Sequence, residues 1–317
     1  MGVKRPTEPR PLLLSKRANV FYLEHARVVQ QDDRIVYLTQ DGGAFEQMFN
    51  IPERNTAFLL LGKGTSITDA AMRRMAASNV MVGFCGTGGS PLFGVCDVAF
   101  MTPQSEYRPT EYMQAWAEMW FDPARRMEKA RRFLRRRAQV TAECWRENGH
   151  LQKLGVTLAE PVLERFRSEL ERAEDVQELL LAEARWAKRL YADLARGHGF
   201  PFAREEGARR SASVADLCNG FLDHGNYIAY GYAAVTLCGL GISFAMPLLH
   251  GKTRRGALVF DLADVIKDGY VMPLAFECAR SGETQKDFRQ CLIECCQEAE
   301  VLDFLFGFMK ELCLKDM

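Results

Sequence analysis

The chain has no Cys-X-X-Cys pair, no Gly-X-Ser-X-Gly, no phosphate-loop signature after its glycine cluster at Gly86-Thr-Gly-Gly-Ser, and no surplus of charge of either sign. The first absence argues against a zinc ribbon, the second against a serine hydrolase elbow, and the third leaves Gly86 to Ser90 as a tight turn. Forty-one basic residues balance forty-one acidic ones, so net charge says nothing about a polyanionic partner. No window holds the roughly eighteen uninterrupted apolar residues of a membrane span, and the first residues lack the apolar run of a secretory signal, so a cytoplasmic protein is expected. Ten cysteines are scattered, several in apolar surroundings (Cys85, Cys96, Cys218, Cys238, Cys278), and read as reduced core thiols. The helically spaced Cys291, Cys295 and Cys296 lack a nearby histidine and are set aside as a metal site.

With 317 residues, 48% hydrophobic and 26% charged, the chain has room for about two domains. The first hundred residues carry β-branched and aromatic runs at Asn19-Val-Phe-Tyr-Leu, Ala26-Arg-Val-Val, Arg34-Ile-Val-Tyr-Leu, Thr56-Ala-Phe-Leu-Leu-Leu and Val80-Met-Val-Gly-Phe-Cys. Asp32-Asp33 and Asp41-Gly-Gly punctuate them as hairpin turns would. One short helix is predicted from Thr68-Asp69 to Asn79. After Pro103 the apolar period becomes helical, with stretches over about 111–148 and 158–196 and further helices from Ser213 onward, broken at Gly197, Gly239 and Gly251. The expected fold is therefore α+β and multidomain: a small N-terminal β-strand domain over 1–102 and a larger all-α catalytic domain over 103–317.

The most informative stretch runs from His250 to Asp268, HGKTRRGALVFDLADVIKD. Asp261, Asp264 and Asp268 stand at i, i+3 and i+7 and share one face of a helix, with Leu262 and Ile266 opposite, which places the carboxylates at the rim of a packed helix. Clustered carboxylates repel, so they are either solvated or built around a charge. His250, emerging after Ile242-Ser-Phe-Ala-Met-Pro-Leu-Leu, is either a satisfied core histidine or a ligand beside them. Glu183, among Trp186, Lys188 and Tyr191 on an amphipathic helix, is a third candidate. From Arg125 to Arg137 eight basic residues face one acid, Glu128; they form either a phosphate-binding stripe or a face paired with the acidic stretch Glu169 to Glu178.

These blocks, in order, resemble the CRISPR-associated spacer-acquisition integrase, protein one of the core set, in its subtype I-F branch. The resemblance rests on a β domain before a helical one, EARWAKRLY from Glu183 to Tyr191, Asn219 and Tyr230-Gly-Tyr, an apolar run ending in His250, and Asp261-Leu-Ala-Asp264-Val-Ile-Lys267. Many relatives carry Gly after the glutamate where this chain has Ala184. The resemblance implies that Glu183, His250 and Asp264 are metal ligands, that Asp261 is a further acid needed for activity, and that Lys267 is the basic residue accompanying it on that helix, with Asn219 and Tyr230 structural or supporting the site rather than catalytic. It implies insertion of DNA fragments into a CRISPR array, a 3′-hydroxyl attacking a phosphodiester with Mg²⁺ or Mn²⁺ as cofactor. The DNA would be held by Lys252, Arg254, Arg255 and Lys267. Joining two ends calls for a homodimer or larger symmetric assembly, and the implied partner is the second CRISPR-associated core protein fused to the nuclease-helicase. A hydrolytic metal nuclease and a non-catalytic nucleic-acid scaffold with solvated acids are the alternatives.

Overall fold

The computed structural model describes residues 12–40, 46–84, 110–205, 213–251 and 256–314. Cys85, Cys96, the Gly86 turn, the Asp41-Gly-Gly turn and the expected domain boundary at 102/103 lie outside the described residues.

The N-terminal unit contains two sheets. β1 (Asn19–Leu23), β5 (Thr56–Leu61) and β7 (Met81–Phe84) form a three-stranded parallel sheet in the order β1-β5-β7. β5 sits in its centre, and all six residues of Thr56-Ala-Phe-Leu-Leu-Leu are buried, as a continuous apolar run in a parallel sheet should be. β2 (Ala26–Gln31), β3 (Arg34–Gln40), β4 (Glu46–Ile51) and β6 (Ser66–Ile67) form the second sheet, ordered β4-β3-β2-β6. Gln31 pairs with Arg34, so Asp32-Asp33 is a two-residue hairpin turn, with Asp32 in the left-handed region at φ 52° that Asp tolerates. β4 carries little alternation, with Met48 and Phe49 both exposed, and was not predicted from the sequence pattern. α1 (Asp69–Ala77) starts at Thr68, whose hydroxyl accepts from the Ala71 amide at 3.3 Å, and buries Ala71 and Met75 against Val28, Ile35, Leu59 and Val82.

The second unit is helical. The stretch expected as one helix over 111–148 is broken into α2 (Glu111–Trp120) and α3 (Pro123–Glu147): Asp122 accepts from the amides of Ala124 and Arg125 at 2.9 and 3.1 Å, and Pro123 supplies the first position. After the short α4 (Gly149–Lys153), the second long stretch is likewise two helices, α5 (Glu160–Arg172) and α6 (Val176–His198), separated where Asp175 caps the Glu178 amide at 2.9 Å. α6 ends at Gly199, in the left-handed conformation at φ 71°.

α7 (Val214–Gly239) is the buried axis, packed by α8 (Ala257–Ile266), α9 (Met272–Ser281), α10 (Gln285–Glu298) and α11 (Val301–Leu314). Between α8 and α9 the chain makes a π-helical turn, Lys267–Val271. It approaches α7 closely at Gly225, where a Cβ would stand 2.4 Å from Val271 Cγ1, and α3 at Gly269, where a Cβ would stand 3.0 Å from Cys144 Sγ. Among the described residues no helix is long and apolar enough to cross a membrane, and Cys144, Cys218, Cys238, Cys278, Cys291, Cys295, Cys296 and Cys313 are free thiols.

Candidate metal centre

Three elements of the helical unit deliver the site. α6 carries Glu183, the segment after α7 ends in His250, and α8 carries Asp261 and Asp264. One ligand atom from each of Glu183, His250 and Asp264 lies within 4.8 Å of the others; among the described residues no other group of three or more His, Cys, Asp or Glu side chains does this. One imidazole nitrogen and two carboxylates at that spacing suit a divalent cation.

Asp261 does not join the triad; it builds the ground beneath it. Its Oδ2 accepts from the backbone amides of Leu248 and Leu249 at 2.7 and 3.1 Å, and its Oδ1 accepts from the His250 amide at 3.2 Å and faces His250 Nδ1 at 2.5 Å. A carboxylate at Nδ1 fixes the proton there and leaves the lone pair on Nε2, the tautomer and orientation that a metal-binding histidine requires.

The carboxylates are not at a rim. Asp261, Asp264 and Asp268 are 1%, 7% and 0% exposed, and Leu262 and Ile266 are also buried, so α8 is enclosed on all sides and the expectation of a half-solvated acidic face is wrong. Buried carboxylates need cations, and two are built in. Arg137 of α3 forks onto Asp268 through Nε and Nη2 at 2.6 and 3.1 Å, pairs with Glu183 through Nη1, and brings the same Nη1 to 3.7 Å from Asp264. Lys267 pairs with Asp264 and lies 5.2 Å from the centre of the Tyr230 ring. Asp268 also accepts from the Trp186 indole at 2.9 Å, while the Trp145 indole donates to its carbonyl at 2.9 Å.

The electrostatics follow. Burial pushes the Glu183 carboxyl above its ordinary range, with Arg137 pulling the other way. Burial would also raise Asp264, but Lys267, Arg137 and His250 outweigh it and hold it below the usual carboxylate range. Burial alone would lower His250; the hydrogen bond and charge of Asp261 and the nearby carboxylates reverse this and raise it. For Arg137 the same contest between burial and the charges of Asp268, Glu183 and Asp264 ends well above the ordinary value, so its cation is permanent.

The sequence pattern missed Arg137 as a site residue, although a signal was present. Arg137 follows Phe133 by four and Leu134 by three, and so falls on the apolar stripe of α3 with Ala130, Ala138 and Thr141. An arginine on an apolar stripe is buried, and a buried arginine needs an acid. The rest of the stripe is also engaged. Lys129 donates to the Leu312 carbonyl at 2.6 Å, Arg131 to the carbonyls of Leu170 and Ala173 at 3.1 and 2.7 Å, and Arg135 to Glu171 at 2.7 Å. Pairing with an acid of that stretch is thus the arrangement found for Arg135, while Arg131 meets the stretch through its backbone carbonyls. Arg132, Arg135 and Arg136 line an open groove of about 670 Å³ with Phe304 and Phe308, where Arg136 stacks 4.8 Å over Phe304 and Arg132 faces Glu311 at 3.6 Å.

Lys267, expected at the DNA backbone, points into the site, and Lys252, Arg254 and Arg255 lie outside the described residues. Asn219 ties α7 to the segment ahead of it: it accepts from Arg204 and the Glu205 amide at 3.1 and 3.0 Å and donates to the Ala203 carbonyl at 2.9 Å. Tyr230 packs edge-on to Phe260 at 4.7 Å beneath Lys267. Tyr191 is enclosed against Phe202 and Phe276, and burial pushes its hydroxyl up to about 12.

Residues 20–300 match the family model described as CRISPR associated protein Cas1. The chain is 46% identical over 316 residues to the CRISPR-associated endonuclease Cas1 of Pseudomonas aeruginosa (strain UCBPP-PA14), covering 96% of each chain. It is 41% identical over 319 residues to the protein of the same name from Pectobacterium atrosepticum, covering 98% of this chain and 96% of the other. The fold is shared with TtCas1 in a DNA complex (TM-score 0.68, 24% identity, 93% and 92% coverage) and with a casposase bound to integration product (TM-score 0.71, 15% identity, 93% and 91% coverage).

Proposed function

The chain belongs to the CRISPR-associated Cas1 endonuclease and integrase family, and from that premise we propose that it joins DNA fragments into a CRISPR array at a site made by Glu183, His250 and Asp264 around one divalent cation. The observation that carries this reading is the convergence of those three side chains within 4.8 Å from three separate elements.

The charge balance supports a single cation. Glu183, Asp261, Asp264 and Asp268 bring four negative charges and Arg137 and Lys267 two permanent positive ones, so with a neutral His250 the site is left two charges short, the charge of one Mg²⁺ or Mn²⁺. A mixed nitrogen and oxygen donor set accommodates Mn²⁺ readily and admits Mg²⁺. Held by Glu183, His250 and Asp264, such a cation would supply Lewis acidity toward the attacking 3′-hydroxyl and positive charge for the phosphoryl oxygens. The protein's own part is positional. Asp261 presents His250 through Nε2, Lys267 keeps Asp264 ionised, and the enclosure of the acids excludes water from their far side.

Lys252, Arg254 and Arg255, adjoining His250 in sequence, are the residues assigned to the DNA backbone, since phosphate contacts position the duplex without reading bases. β4 ends a sheet with Met48 and Phe49 exposed, which supports a homodimer through the N-terminal unit. The second CRISPR-associated core protein, fused to the nuclease-helicase as in subtype I-F, is the partner assigned, and the cytoplasm is the location assigned to the assembly. The burial of the carboxylates speaks against a scaffold with solvated acids.

The test is transfer of a fluorescent fragment with a free 3′-hydroxyl to a supercoiled plasmid carrying a CRISPR repeat, in Mn²⁺, Mg²⁺ or EDTA. Transfer that needs metal and disappears in Asp264→Ala and His250→Ala is the expected outcome. Nicking without transfer would replace this reading with the hydrolytic nuclease, and inertness even with the partner added would replace it with the scaffold.

A further inference from the structure

We propose that Arg137 is a positioning residue of the metal centre: it holds Glu183 in the one orientation in which that carboxylate can serve as a ligand, and Asp268 is the anchor that holds Arg137. The inference rests on the reading of Glu183, His250 and Asp264 as a cation site and adds two residues that touch neither cation nor substrate.

The geometry separates the two acids that Arg137 contacts. Asp268 takes the fork, Nε and Nη2 at 2.6 and 3.1 Å, and is completed by the Trp186 indole at 2.9 Å, so it is saturated and fully buried. It lies outside the group whose ligand atoms converge. Glu183 receives only the remaining Nη1, on Oε1. A guanidinium is planar and rigid, so a fork locked on Asp268 fixes where Nη1 points and thereby fixes the Glu183 carboxylate.

Glu183 needs such a hold. Its three side-chain torsions give it many orientations, and its neighbour across the site is another carboxylate, Asp264, which repels it until a cation binds. Asp264 and His250 each have a dedicated partner, Lys267 and Asp261, and Arg137 completes the pattern with one fixing group for every ligand. A ligand that must be reoriented on binding weakens the site, and loss of an outer partner typically costs about 10- to 100-fold in metal affinity. The same guanidinium also repels an incoming cation, which would make its removal strengthen binding. Arg137 sits 3.7 Å from Asp264, yet its charge is already spent on Asp268 and Glu183, so the loss of orientation outweighs the relief of repulsion.

The experiment measures Mn²⁺ affinity of the full chain by the EPR signal of free Mn²⁺, without DNA, for wild type, Arg137→Gln, Arg137→Lys, Asp268→Asn and Glu183→Gln, each checked for native folding by circular dichroism. Binding about tenfold or more weaker in Arg137→Gln, partly restored in Arg137→Lys, and weakened several-fold in Asp268→Asn is the expected result. Should Arg137→Gln fail to fold, Arg137→Lys and Asp268→Asn still decide the matter. Unchanged affinity in the folded variants would reduce Arg137 to a structural ion pair, and tighter binding would make it a competitor of the cation; either overturns the inference while leaving the metal site in place. Wild type that binds no Mn²⁺, or binds as well as Glu183→Gln does, takes down the metal reading and the inference with it.

Discussion

Replacing Asp261 with asparagine keeps the shape of the side chain and reverses half of its chemistry. The native carboxylate accepts from three backbone amides at 2.7, 3.1 and 3.2 Å and from His250 Nδ1 at 2.5 Å. Asparagine has one acceptor oxygen. Placed toward Leu248 and Leu249 it keeps those two bonds, and its amide nitrogen then confronts two donors, the His250 amide and the Nδ1 proton. The ring can relieve the second conflict only by moving its proton to Nε2, which removes the lone pair a metal needs. Hydrogen bonds to charged groups contribute about 1.5–3 kcal/mol each, so two lost bonds with partial relaxation cost about 2–4 kcal/mol of stability. The metal site loses more in relative terms, about 10- to 100-fold in affinity. Urea unfolding gives the first quantity, and titration of Mn²⁺ on protein shown to be folded gives the second. An Asp261→Asn protein that binds Mn²⁺ within about twofold of wild type and joins DNA at the same rate would refute the assignment of His250 orientation to Asp261.

Three further outcomes follow from other parts of the molecule. His250 is raised above its ordinary 6.5, so the stability it contributes in metal-free protein is full below about 6.5 and is lost as pH rises through the folded value, while Mn²⁺ affinity rises over the same window; urea unfolding in EDTA should show that decline in wild type and not in His250→Gln. His198, stacked on His150 at 5.3 Å and among Phe200 and Phe276, is lowered by burial to about 4, so the unfolded chain takes up its proton first and stability drains away as pH falls from about 6.5 to about 4; His198→Phe keeps the ring packing and should melt higher than wild type near the acid end of that range, and parallel pH profiles for the two proteins would contradict it. Gly225→Ala drives a methyl to 2.4 Å from Val271 and 3.1 Å from Phe288, an overpacking that should cost about 1–3 kcal/mol in chemical denaturation, and a variant as stable as wild type would mean that the α7 contact with the π turn yields easily.

Local signals were legible where one residue type does one job. The apolar run of β5, the Thr68 cap of α1 and the Asp32-Asp33 turn needed no tertiary context. β4 escaped because its described side chains are exposed up to Ile51, so it carries no period to read. The helix breaks at Asp122-Pro123 and Asp175 are written in capping residues, yet the apolar period runs on through both and hides them. In the site, the acids and histidine were visible as types, and the resemblance supplied their grouping. Their burial was not visible, because it depends on Arg137, which arrives from 46 residues before Glu183 and 131 before Asp268 and sits within a run of arginines that otherwise pair with neighbouring acids and carbonyls. Long-range complementarity of that kind leaves no trace in spacing.

The π turn at Lys267–Val271 makes sequence distance a poor ruler past this point. Such a turn takes in one more residue than an α turn, so each side chain beyond it stands about 100° behind the place an uninterrupted helix from Ala257 would give it. A cousin of this chain that is one residue shorter here can keep Asp261 and Asp264 where they are and close the turn to the ordinary pitch. Its α9 would then keep its present faces, with the counterparts of Phe276 and Ala279 still turned inward although each stands one position earlier in the chain. A one-residue difference in these five positions is therefore absorbed by the pitch of the turn, and residues on either side of it should be matched by direction and not by count.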